Sequence, residues 1–272
     1  MTTPMEKETS QDQRKPRVGI FGLTGCGGDQ LVILNCEDQL LEISQLVDLR
    51  DFVMASSAND KVCPLDVAFV EGAVLSNQDE ANLRAIRQRA DILIAIGSCA
   101  VSGGIPTLDR CVHREKVLEQ VYGAAASEYD SIPALSVSEV VEVDFELPGC
   151  PIEKDEFLSL LAHLLQNNPP LPPNYSVCTE CKMRENECLM NDGVQICLGP
   201  LTAAGCNARC PTLGVPCIGC RGLLPDANVT SALALFEEHG IELHEAMMKL
   251  RTFGPIESNP SLELEAHHAA TD

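Results

Sequence analysis

The chain has 272 residues, 45% of them hydrophobic, enough to bury one sizeable core with a small second domain beside it. Nineteen Lys and Arg stand against 40 Asp and Glu, a formal charge of -21 that repels nucleic-acid phosphates and anionic lipid headgroups. No apolar run approaches the roughly 18 residues that span a bilayer, and the polar start carries neither the apolar stretch of a secretion signal nor twin arginines; the expectation is a cytoplasmic chain with no direct membrane insertion. In that reducing compartment the fourteen cysteines point to metal binding and away from a disulfide framework.

Residues 1–15 are charged and poor in large apolar side chains, and are predicted to be a flexible leader. Arg17 to Leu23 reads as a strand, and Asp29 to Gln45 as a helix with Leu31, Leu34 and Leu41 at helical spacing. Val47 to Ala55 and Asp66 to Leu75 read as further strands, Gln78 to Ala90 as an amphipathic helix, and Asp91 to Ile96 as a buried strand. His113 to Ala126 is predicted helical, Val137 to Leu147 a strand of alternating apolar and acidic residues, and Glu153 to Gln166 a helix with Phe157, Leu160, Leu161, Leu164 and Leu165 on one face. Strands alternating with helices predict an α/β domain over residues 16–167, built on a parallel sheet covered on both sides.

Four prolines among the seven residues Asn168 to Asn174 form a stiff linker. Beyond it, residues 175–222 hold eight cysteines, many Gly and Pro, and too little apolar material for a core of their own, so this segment needs metal to fold. Residues 223–272 complete the chain as a helical segment, with repeats such as Ala232, Leu235 and Phe236, and an acidic tail.

Three cysteines directly follow predicted strands: Cys26 in L-T-G-C-G-G-D, Cys99 in I-G-S-C-A and Cys150 in L-P-G-C-P. In a doubly wound sheet the parallel strands end on one edge, where the loops converge on ligands, and the adjacent glycines let backbone approach a bulky group. A four-iron cluster normally needs four thiolates. Asp29 is the candidate fourth ligand, since Cys26-Gly-Gly-Asp29 reproduces the reach of C-x-x-C and a carboxylate can bind iron; the competing reading makes Asp29 a helix N-cap. For the three cysteines the competing reading is a buried apolar thiol. Cys36 falls about 12 Å along the predicted helix, Cys63 precedes a strand at the opposite edge of the sheet, and Cys111 has no comparable context, so these three are read as structural.

The distal segment presents Cys178 and Cys181 in C-T-E-C, then Cys188, Cys197, Cys206, Cys210 followed by Pro211, Cys217 and Cys220. Eight thiolates suit two four-iron clusters, and Cys206 to Pro211 echoes the C-x-x-x-C-P ending of bacterial ferredoxin runs. Tetrahedral zinc sites are the alternative. Linear order does not fix which thiolates share a cube. With Asp29, the proximal and distal residues supply the twelve ligands of three [4Fe-4S] clusters, and the cysteines left over are the three read as structural.

The motifs G-C-G-G-D, V-E-G around Glu71, G-S-C-A, P-G-C-P, L-G-P-L-T-A-A-G-C-N-A-R-C-P and P-C-I-G-C-R-G, in this order from about Arg17 to Gly222, resemble the small subunits of nickel-iron hydrogenases. The similarity is greatest to the cytoplasmic branch that reduces deazaflavin or viologen and is linked to heterodisulfide reductase. The resemblance implies a flavodoxin-like domain holding a proximal cluster, a ferredoxin-like segment holding medial and distal clusters, and a nickel-iron site on a separate large subunit. A further flavin or iron-sulfur subunit would exchange electrons with this chain. Asp29 stands where a second cysteine is common in the family, and relatives of the deazaflavin-reducing hydrogenases resemble this sequence in having aspartate there. Glu71 would line the proximal site or the large-subunit interface, the competing reading being a solvated strand-end carboxylate. The related complex I subunit of 20 kDa shares the proximal pattern but typically has adjacent cysteines at the first motif and no distal cysteine-rich segment. Two further functional readings stand beside the hydrogenase: another hydrogenase-related or complex I-like redox complex without nickel, and a zinc-stabilised scaffold.

Overall fold

The computed structural model describes residues 14–111, 114–191 and 195–254. The predicted leader before residue 14, His113 at the head of its helix and the tail from residue 255 lie outside the described residues, as does the side chain of Cys111.

Five strands, β1 (Arg17–Gly22), β2 (Asp48–Phe52), β3 (Leu65–Glu71), β4 (Ala90–Ile96) and β5 (Phe145–Leu147), form one parallel sheet in the order β2-β1-β3-β4-β5. The helices are α1 (Gly28–Leu34), α2 (Glu37–Leu46), α3 (Asn77–Arg89), α4 (Gly97–Ser102), α5 (Arg114–Tyr122), α6 (Lys154–Leu165), α7 (Val177–Met183), α8 (Arg209–Thr212), α9 (Val229–Glu238) and α10 (Leu243–Leu250). Alternation within the central strands divides the apolar side chains between two faces. Val67, Phe69, Ile94 and Ile96 pack with Ile33, Phe157, Leu160 and Leu161 of α1 and α6. Ala68, Val70, Leu93 and Ala95 pack with Leu83 and Ile86 of α3. Both faces are therefore dry, which is why β3 and β4 read as near-continuous apolar runs.

The register places Gly22, Glu71, Ile96 and Leu147 side by side at the carboxyl ends of β1, β3, β4 and β5. The segments carrying Cys26, Cys99 and Cys150 leave from this single edge.

Two predicted elements differ in detail. The helix predicted from Asp29 to Gln45 is broken at Asn35–Cys36, because Cys36 turns fully into the core and its thiol donates to the Val32 carbonyl at 3.5 Å. The strand predicted from Val137 is reduced to its last three residues. Its acids serve a turn: Glu139 accepts the Ser136 amide at 2.7 Å and Asp144 the Leu93 amide at 2.7 Å, while the amides of Val140 and Val141 bind the Val137 carbonyl.

The cysteine-rich segment shares a second core with the C-terminal helices, where Val177, Ile196, Leu198 and Leu201 pack against Ala232, Leu233, Phe236 and Leu250. Among the described residues no helix is long and apolar enough to cross a membrane.

Phe69 is fully buried with its ring edge-on to Phe157 at 5.4 Å, so it ties the sheet to α6 directly behind the Cys150 loop. Phe69→Ala is expected to destabilise the folded chain by about 3–5 kcal/mol, read as a lowered denaturant midpoint.

Candidate metal centres

Cys26 lies in the loop between β1 and α1, Cys99 in the first turn of α4 and Cys150 in the loop after β5. Cys26 and Cys150 are exposed and Cys99 is half-buried. Burial pushes the Cys99 thiol up to about 12, with further increments from Cys150, Glu71, Asp29 and Cys26. Burial likewise raises Cys150 to about 11, assisted by Asp29, Cys220 and Cys26. Residues more than a hundred positions apart thus act on one another electrostatically at one rim of the sheet.

Asp29 is the second residue of α1, whose N-cap is Gly27 with no side-chain cap bond, so the N-cap reading of Asp29 does not hold. Its buried carboxylate accepts the Ile152 amide through Oδ1 at 2.8 Å. The other oxygen lies so close to Gly97 that a methyl group there would overlap it. Burial raises the Asp29 carboxyl to about 6 against the lowering effect of the Ile152 amide, and Glu71 adds to the rise.

Glu71 is buried at the end of β3 and is not the solvated carboxylate of one sequence reading. Its Oε2 accepts from Gln30 Nε2 at 2.9 Å, while Oε1 is buried with no hydrogen-bond partner among the described residues. Gln30 was not legible as a site residue; the signal for Glu71 was an acid ending an apolar strand before glycine.

The distal cysteines act on one another in overlapping groups. Cys178 is raised to about 11 by burial and then by Cys197, Cys181 and Cys188. Cys220 is raised by burial and by Cys206 and Cys210, against lowering by the Cys150 amide and Arg221. Cys217 is driven to about 12, chiefly by burial, with Cys197 and Cys220 adding to it against the Gly219 amide and the Thr202 hydroxyl. The groups touch where the Cys217 amide donates to the Cys197 sulfur at 3.3 Å. Glu180, buried in the middle of C-T-E-C, accepts the amides of Gly205 at 2.8 Å and Ala208 at 3.0 Å, and so fixes the turn that carries Cys206. Cys36 sits in the core, and Cys63 precedes β3 at the far edge of the sheet, its thiol facing the Asp60 carbonyl.

Whether these residues suit iron-sulfur clusters can be judged from their surroundings. The donors are thiols with one carboxylate, and they stand where backbone leaves space for a bulky group: a Cβ at Gly104 would lie 2.9 Å from the Cys99 sulfur, and one at Gly199 3.3 Å from that of Cys178. Among the described residues no three His, Cys, Asp or Glu side chains are gathered as a site for one metal ion. Burial, with repulsion from neighbouring acidic groups, favours the protonated thiol at Cys99, Cys150, Cys178, Cys217 and Cys220, and bound iron would reverse this, since a coordinated thiol gives up its proton. The donor set and its cradles fit iron-sulfur clusters.

Residues 26–164 match the family described as NADH ubiquinone oxidoreductase, 20 Kd subunit. Sulfhydrogenase 2 subunit delta of Pyrococcus furiosus is 37% identical over 237 residues, covering 87% of this chain and 98% of the relative. A subunit of the vhu F420-non-reducing hydrogenase of Methanocaldococcus jannaschii is 33% identical, covering 87% and 94%. In the crystal structure of an NAD+-reducing [NiFe]-hydrogenase in the H2-reduced state, one chain is 29% identical with a TM-score of 0.51, covering 58% of this chain and 96% of that one. The chain belongs to the NADH ubiquinone oxidoreductase 20 Kd subunit family, and the relatives it resembles are named as hydrogenase subunits. The family match ends at residue 164, before the Pro-rich stretch and the eight distal cysteines.

Gly104 and Gly123 have nearly the same positive φ, 58° and 57°, but a Cβ at Gly104 would press on the sulfur and the Cα of Cys99, both at 2.9 Å, whereas among the described residues nothing lies within 4 Å of one at Gly123. Gly104→Ala is expected to lower the iron and acid-labile sulfide of the purified chain, whereas Gly123→Ala, carrying the same backbone strain, keeps both.

Proposed function

We propose that this chain is the electron-transfer small subunit of a cytoplasmic nickel-iron hydrogenase complex. It would relay electrons through three [4Fe-4S] clusters between a large-subunit nickel-iron site and a further flavin or iron-sulfur subunit. The observation that carries the reading is the meeting of Cys26, Asp29, Cys99 and Cys150 at one sheet edge, with the distal thiols continuing from it through Cys220. The names of the relatives support the hydrogenase assignment.

In this reading Cys26, Asp29, Cys99 and Cys150 hold the proximal cluster. Cys178, Cys181, Cys188, Cys197, Cys206, Cys210, Cys217 and Cys220 hold the medial and distal clusters; Cys181, Cys188 and Cys197 act on Cys178, Cys206 and Cys210 act on Cys220, and Cys217 lies between the two groups. Each cluster, when bound, accepts or releases one electron with a potential set by its ligands, their hydrogen bonds and exposure. The chain's own part is to fix the ligand positions and exclude water. The Ile152 amide orients Asp29, Glu180 sets the Cys206 turn, and the buried Glu71 adds negative charge beside the proximal thiols. The strand order β2-β1-β3-β4-β5 supports a flavodoxin-like domain over residues 16–167. The linker over 168–174 and a ferredoxin-like segment over 175–222, closed by the helices that follow, complete the proposed organisation.

A second reading, a complex I-like redox assembly without nickel, is favoured by the family match itself. Metal analysis of the intact complex separates the two: nickel in the co-purifying large subunit supports the hydrogenase, and its absence the alternative. Zinc in place of iron, with no reducible visible absorption, would refute both.

Asp29→Asn keeps the acceptor for the Ile152 amide but removes a negative charge from the proximal site. The expected outcome is a higher reduction potential for one cluster with the other two unmoved, measured by redox titration followed by electron paramagnetic resonance; three unchanged potentials would remove Asp29 from the ligand set.

A further inference from the structure

The rim of the sheet meets the distal segment at one joint, where the loop carrying Pro148, Gly149 and Cys150 faces the loop carrying Cys220 and Arg221. Two residues with no assigned role build this joint. The Arg221 side chain, 2% exposed, donates through Nη1 to the Pro148 carbonyl and to Glu156 Oε2, both at 2.8 Å. Nη2 donates to Glu156 Oε1 at 2.8 Å, and Nε to the carbonyls of Ala204 at 2.8 Å and Ala203 at 3.2 Å. A planar guanidinium can serve a carboxylate and several carbonyls at once in a way that a lysine ammonium cannot. Space is reserved for the pair: a methyl group at Gly205 would overlap Arg221 Nη2 and come within 2.6 Å of Glu156 Oε1. Ser98, beside Cys99, closes the joint from the other side. It is buried, its amide binds the Gly149 carbonyl at 2.7 Å, and its hydroxyl donates to the Cys220 carbonyl.

We infer that Cys220 is the ligand through which electrons pass between the proximal rim and the distal segment, and that Arg221 and Ser98 are positioning residues that hold it against Cys150. Three hydrogen bonds tie the two loops together: Ser98 bridges the Gly149 and Cys220 carbonyls, and Arg221 reaches the Pro148 carbonyl. At the first crossing the loops of Cys150 and Cys220 are joined through Ser98 and Arg221, and at the second the backbone N–H of Cys217 meets the Cys197 sulfur directly, at 3.3 Å. Clusters held at Cys150 and at Cys220 would supply one-electron exchange, one oxidised as the other is reduced, with no bond made or broken; the part of Arg221 and Ser98 is to fix the distance between the two cysteines. The inference rests on the relay proposed above.

The test uses the whole complex with three variants of this chain. Ser98→Ala removes one hydrogen bond to the Cys220 backbone. Arg221→Met combined with Glu156→Met removes the clamp without leaving a buried carboxylate unpaired. Arg221→Lys keeps the charge and loses the fork. Iron and sulfide content are measured first, then the magnetic broadening between clusters in the fully reduced state and the rate at which the second cluster fills after rapid reduction from the hydrogen side. The expected result is unchanged iron with weakened coupling between the proximal and second clusters, unchanged coupling between the other two, and filling slowed roughly 10-fold or more in the double variant, Arg221→Lys lying between. Full iron with unaltered coupling and rate in all three overturns the inference. Loss of iron from Ser98→Ala also overturns it, by making the joint a requirement of folding. An unmodified complex without iron would instead overturn the relay, so the two failures are told apart.

Discussion

Parallel strands that end together impose the constraint on which everything else in this protein depends. β1, β3, β4 and β5 stop in register at Gly22, Glu71, Ile96 and Leu147, and each is followed by a segment that must turn at the same edge. A thiol placed just after a strand therefore arrives beside thiols from distant parts of the sequence, whatever lies between them. The two dry faces of the sheet keep that edge rigid, since the strands cannot slip without exposing Phe69 or Ile94 on one side and Leu93 or Val70 on the other.

Polar groups at the edge are held by specific partners. Asp29 is fixed by a backbone amide and seated against a residue with no side chain, and among the described residues Glu71 is bound on one oxygen, by Gln30. In the distal segment Glu180 binds two amides from the turn that carries Cys206. Buried carboxylates are costly unless hydrogen-bonded, so these contacts explain how a chain so rich in acids can carry several of them next to sulfur. Their common effect is a field of negative charge around the thiols, which positive iron would relieve.

Much of this was legible in the sequence because it depends on local order. A strand followed by glycine and cysteine locates Cys26, Cys99 and Cys150 without knowledge of the intervening chain, and apolar periodicity locates α3 and α6 to within a residue or two. The break at Cys36 was hidden because helical spacing continues across it and only tertiary burial of the thiol bends the chain. The alternating stretch from Val137 misled because Glu139 and Asp144 bind backbone amides in a turn, and a period of two does not distinguish that from a strand. The pairing of Arg221 with Glu156, 65 residues apart, leaves no local trace at all. The apolar residues of α9 and α10 were recognised as helical, but their core with Leu198 and Leu201 exists only once the distal segment has folded back.

The exposure of Cys26 carries a consequence for biogenesis. A rim residue open to solvent can take up iron without unfolding the sheet, and the same opening leaves the site to react with dioxygen. On the proposed reading, loading must precede capping by the neighbouring subunit, and a preparation of this polypeptide by itself keeps its metal only under an inert atmosphere.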